Sequence, residues 1–162
     1  MDYHPVVHKL KDLLAAHHIK YEWFEHTPVR TSEEAAKLRP GYTLKQGAKA
    51  LLVKLVLRTG RDAFVLLVVP GDTRFDTKKV KKLLDAKELR FATEAEVSLI
   101  TGGVEVGGVP PFGSLFSLHT YLDRAVAHAD RIVFNAGDKR VSIAMSVADY
   151  LVAEKPSITE LV

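Results

Sequence analysis

The sequence predicts an α+β fold, a mixed and largely antiparallel sheet flanked by helices, on three observations. Helix-period patterns stand at both ends of the chain, short β-rich runs set as hairpins fill the middle, and the one glycine-rich passage is in the wrong context for a nucleotide fold. Residues 102–108 lack the preceding strand and following long helix of a dinucleotide or phosphate loop, and no Gly-Lys-Ser/Thr follows them. A doubly wound sheet is therefore disfavoured.

In order along the chain, Val6, Val7, Leu10, Leu13 and Leu14 recur at three- and four-residue spacing, predicting an amphipathic helix over residues 3 to about 17 with Pro5 in its first turn. Residues 21–24 read as a short strand. Thr31, followed by Ser32, Glu33, Glu34, Ala35 and Ala36, opens a second, short helix. The Leu- and Val-rich runs 49–57 and 63–69, joined by Arg58-Thr59-Gly60-Arg61-Asp62, predict a buried hairpin at the centre of the sheet. Asp76 caps a helix with Val80, Leu83 and Leu84 on one face and lysines on the rest. A short helix is expected over 93–99, strands near 115–121, 131–135 and 140–145, and a final helix opened by Ser146.

Composition bounds the function. The 162 residues, 47% hydrophobic and 27% charged, suit one globular domain spanning 1–162. The absence of cysteine excludes disulfides, thiolate zinc sites and cysteine nucleophiles. The start of the chain has no basic and apolar leader pattern, and Lys49 and Lys54 interrupt the apolar run at 48–57, so the cytoplasm is the expected location. A net charge of +3 permits contact with a polyanion without requiring it.

Strand alternation puts Lys49 on the face of Leu51, Val53, Leu55 and Leu57, where an ammonium at a strand end can anchor a phosphate or a carbonyl oxygen. The plainer reading is a lysine snorkelling at a sheet rim. Gly103, Gly107, Gly108 and Gly113, with Pro110 and Pro111, let the backbone approach a ligand and hold its amides in place, as an oxyanion hole requires; a rigid crossover loop is the alternative. His26 can donate a hydrogen bond or move a proton, Thr31 and Ser32 can line the same pocket, and Asn135 can hold a water or an amino group. Turn and cap chemistry is their ordinary role. His4 and His8 lack a third ligand in a zinc motif, and Ser114 and Ser117 lack a nucleophile elbow.

Glu25-His26-Thr27-Pro28, the run 31–36 and Lys49-Ala50-Leu51-Leu52-Val53, followed by Gly103-x-x-x-Gly107-Gly108-x-Pro110-Pro111-Phe112-Gly113 and by Asn135-Ala136-Gly137 with Ile143, resemble the YbaK and prolyl-tRNA-synthetase-associated editing domains. The resemblance spans essentially the whole chain. It implies a partly barrel-like sheet and hydrolysis of the ester joining a small wrong amino acid to the terminal adenosine of mischarged tRNA, with no metal and no cofactor. A synthetase is an implied further partner. By position, Lys49 corresponds to the family's functional lysine, and Gly103, Gly107, Gly108, Val109, Pro110, Pro111, Phe112 and Gly113 to the loop enclosing the aminoacyl group; Gly137 belongs to the closing turn. Phe24 stands where a cysteinyl-editing subgroup tends to carry tyrosine, Ser142 where it tends to carry aspartate, and Asn135 where an alanyl-editing subgroup carries histidine. These departures leave the amino-acid specificity open. A noncatalytic module that binds tRNA ends or docks on a synthetase shares the same expected fold.

Overall fold

The computed structural model describes residues 2–29 and 31–162, apart from the side chain of Ser32. Helix α1 (Pro5–Ala16) starts where His4 Nδ1 accepts the Val6 N–H at 3.1 Å, and it buries Val6, Val7, Leu10 and Leu14. Strand β1 (Glu22–Glu25) leads to α2 (Ser32–Lys37), capped by Thr31 Oγ1 on the Glu34 N–H. The central hairpin is β2 (Ala48–Leu57) with β3 (Asp62–Pro70), paired antiparallel with Leu52 opposite Leu66. Helix α3 (Thr77–Leu83) is capped by Asp76 and buries Val80, whereas Leu83, expected on the buried face, is exposed.

Strand β4 (Ala86–Phe91) then pairs with the outer edge of β2, and α4 (Glu94–Thr101) opens with a reciprocal Thr93–Glu96 capping box and ends at Gly102 in the left-handed region. The strand expected near 115–121 is displaced. A 3-10 turn at Gly113–Phe116 comes first, Ser117 adopts a φ of 58°, and only then does β5 (His119–Asp123) begin. The turn is tied to the strand by the Gly113 N–H donating to Thr120 Oγ1 at 2.9 Å. Helix α5 (Arg124–Ala127), strands β6 (Arg131–Asn135) and β7 (Val141–Ser146), helix α6 (Val147–Glu154) and strand β8 (Ser157–Thr159) complete the chain.

The fold is α+β. Its strands form a five-stranded sheet, ordered β4-β2-β3-β5-β8, and a three-stranded sheet, ordered β1-β7-β6. β5 runs parallel to both β3 and β8, and the other pairings are antiparallel, so the sheets are mixed but mostly antiparallel. A parallel bridge between Gly47 and Val133 joins the two sheets. Alternation along β2 and β3 gives the larger sheet two apolar faces. Leu52, Leu66 and Val68 join the core shared with α1, β6, β7 and α6, while Val53, Leu55, Leu67 and Val69 pack with Val80 and Leu161. Among the described residues, no helix is long and apolar enough to cross a membrane.

Candidate active site

Where the two sheets meet, a cleft of about 280 Å³ opens between the start of β2, the end of α2 and the loop after α4. Its lining includes Thr31, Lys49, Gly107, Val109 and Asn135 among the residues expected from the sequence. Lys49 is half-buried, and its ammonium donates to the Thr73 carbonyl at 2.6 Å. Burial, reinforced by the nearby Arg74 charge, lowers its pKa from the ordinary lysine value.

The glycine loop divides into amides already used and one left over. The Gly103 N–H donates to the Ser98 carbonyl at 2.8 Å and the Gly108 N–H to the Glu105 carbonyl at 2.9 Å, so both close local turns. The Gly107 N–H has no acceptor among the described residues, and Gly107 lines the cleft with a φ of 89°, a conformation that favours glycine. Its carbonyl accepts from Asn135 Nδ2 at 2.6 Å. The peptide joining Gly107 to Gly108 is thus held at both its carbonyl and its N–H, which fixes the backbone directly after the free Gly107 N–H.

Pro110, Pro111, Phe112 and Gly113 do not line the cleft. Phe112 is fully buried, edge-on to Phe134 and Tyr150, and the Tyr150 hydroxyl donates to the Pro111 carbonyl at 2.5 Å. A Cβ on Gly113 would stand 2.4 Å from Thr120 Oγ1, and one on Gly137 2.8 Å from Val6 Cγ1, so both glycines serve close packing. Phe24 packs edge-on against Tyr42 outside the cleft lining. His4, besides capping α1, sits 3.1 Å from the Gly102 carbonyl; with Nδ1 accepting from Val6, Nε2 carries the hydrogen and donates. The expected contribution of the Ser32 side chain lies outside the described residues.

Sequence reasoning missed Arg39. It lines the cleft yet is only 6% exposed, and its Nε donates to Ser142 Oγ at 2.9 Å and its Nη2 to Asn135 Oδ1 at 2.9 Å. Burial lowers its pKa to about 10, which leaves it charged at neutral pH. Arg39 stands two residues past the end of α2, beyond the Leu38 cap, so helix periodicity does not extend to it.

His26 and Ser142 stand behind Arg39. His26 Nδ1 lies 2.9 Å from the Thr27 carbonyl and Nε2 lies 2.7 Å from Ser142 Oγ. Since the carbonyl can only accept, neutral His26 carries its hydrogen on Nδ1, and Ser142, already accepting from Arg39, donates its hydroxyl hydrogen to Nε2. Burial is the main cause that lowers the His26 pKa, and the Arg39 charge adds to it. One chain of bonds thus runs His26, Ser142, Arg39, Asn135, Gly107.

The aminoacyl-tRNA editing domain family model matches residues 26–152, which contain all of these groups. The multifunctional Ser/Thr-tRNA deacylase ProXp-y of Escherichia coli K12 is 31% identical over 151 residues, covering 93% of this chain and 89% of that protein. A proline--tRNA ligase of Bacillus subtilis is 39% identical over 102 residues, 62% of this chain but 17% of that much longer protein. A solved structure described as a candidate trans-editing enzyme for prolyl tRNA synthetase superposes with a TM-score of 0.80 at 27% identity, covering 99% of this chain and 98% of that one.

Proposed function

The chain belongs to the aminoacyl-tRNA editing domain family, and from that premise we propose that it is a trans-acting deacylase that hydrolyses the ester of tRNA carrying a small wrong amino acid. The observation that carries this reading is that one cleft is lined by both Lys49 and Gly107, whose N–H has no acceptor among the described residues, with no side-chain nucleophile required. Water attacks the ester carbonyl, and the bond to the ribose oxygen of the terminal adenosine breaks as that oxygen gains a proton. The free amino acid and the tRNA hydroxyl are the products. A ribose hydroxyl of the substrate can assist the water.

In this mechanism Gly107 meets the oxygen on which negative charge develops. Removing one oxyanion-hole donor typically raises the barrier by about 2.7–4 kcal/mol. Lys49 spends one N–H on Thr73 and turns the rest of its ammonium toward the terminal phosphate or the ester. The chain acts as one editing unit. The name of the Escherichia coli relative puts seryl and threonyl esters first on the substrate panel.

The test is deacylation of alanyl-, cysteinyl-, seryl- and threonyl-tRNA by the wild type and by Lys49→Ala, with thermal unfolding of both. We expect turnover of at least one substrate and a loss of about a hundredfold or more in a folded Lys49→Ala. Tight tRNA binding without turnover on the whole panel would instead identify a noncatalytic module that holds tRNA ends.

A further inference from the structure

We propose that Arg39 is the specificity-determining residue of the cleft, donating through Nη1 to the side-chain oxygen of a hydroxyl-bearing aminoacyl group, a seryl or threonyl ester. The proposal rests on the deacylase reading and concerns which ester that cleft prefers. Nε and Nη2 are committed to Ser142 and Asn135, both neutral acceptors, while Nη1 has no partner among the described residues. No buried side-chain nitrogen or oxygen among those residues lacks a partner, so Nη1 is not fully buried, and Arg39 lines the cleft. It lies 3.9 Å from the position a Cβ would take on Gly47, another cleft residue.

Chemistry then sorts the esters. The guanidinium is rigid and held at two of its nitrogens, so a small side-chain oxygen meets a preset donor without a further loss of freedom. A methyl group in the same place would strip water from that donor and leave it unpaired, the arrangement that lets a polar site reject an isostere lacking its acceptor. Seryl should therefore be favoured over alanyl, and threonyl over valyl. The uncompensated charge also disfavours lysyl and arginyl side chains.

The experiment measures kcat/KM for seryl-, alanyl-, threonyl- and valyl-tRNA with the wild type, Arg39→Met and Arg39→Lys, each checked by thermal unfolding. In parallel, it measures binding of 3′-amide adenosine analogues carrying serine or alanine, which cannot be hydrolysed. The wild type should favour each hydroxyl ester by about tenfold or more, and Arg39→Met should bring both ratios close to one, chiefly through KM. Arg39→Lys, which keeps the charge and loses the fixed fork, should fall between and serves if the Met variant does not fold. Ratios unchanged in a folded variant, or an equal loss on all four esters, would overturn the proposal, the latter assigning Arg39 to the ester carbonyl or to holding Asn135. A wild type that hydrolyses none of these four and not cysteinyl-tRNA would refute the deacylase reading, and the analogue affinities would still decide the role of Arg39.

Discussion

His26 has one arrangement compatible with its neighbours, neutral with the hydrogen on Nδ1, and this gives the protein a pH dependence of definite sign. Its pKa is lowered on folding, so below its usual value the unfolded chain binds more protons than the folded one. The stability it contributes is fully present above about pH 6.5 and is lost as pH falls through the lowered value. Asp138 titrates elsewhere. Its bonds to Arg140 hold it down to about 2, so its contribution is lost only below the usual aspartate value. Urea unfolding midpoints from about pH 8 to about pH 5 should therefore decline in the wild type and flatten in His26→Gln. Equal slopes would show that His26 is not the titrating group. Lys49 was legible from its place at the head of an apolar strand, because alternation fixes a face. Arg39 was not, because a lone Arg before Pro40 reads as a helix end, and only the tertiary fold encloses it between Ser142 and Asn135.

At the scale of elements, caps and periodicity were the readable part. Thr31, Asp76 and Ser146 each cap the helix expected of them, and the central hairpin pairs over the runs that predict it. β4 was hidden because Ala86–Phe91 is an edge strand whose charged residues face water, leaving no apolar run to detect. β5 was misplaced because its start depends on a distant residue. Glu154, at the end of α6, accepts from Thr120 Oγ1 at 2.6 Å, Ser114 Oγ at 2.5 Å and the Ser114 N–H at 3.2 Å, pinning the turn and the strand together. Glu154→Ala should cost about 1–3 kcal/mol and speed amide exchange across residues 113–120 while leaving β2 and β3 protected. Uniform acceleration through the whole chain would mean that Glu154 supports the global fold instead.

For the molecule as a whole, the expectation of a mixed, mostly antiparallel α+β fold holds, with the strands divided between two sheets that meet at the Gly47–Val133 bridge. The division was beyond local patterning because it is set by which strands share an apolar face, a property of contacts distant in sequence. It has a thermodynamic consequence. The cleft takes one wall from the start of β2 and the other from Gly107, Val109, Phe134 and Asn135, so a molecule seated there touches both sheets at once. Whatever binds this folded junction and not the unfolded chain adds its mass-action free energy to the stability of both sheets together. A non-hydrolysable aminoacyl-adenosine analogue at a hundred times its Kd should add about 2.7 kcal/mol, a rise of roughly 5–10 °C in Tm with the transition still single. Were only part of the melting curve to move, the two sheets would unfold as separate cooperative units, and the occupant of the cleft would belong to one of them.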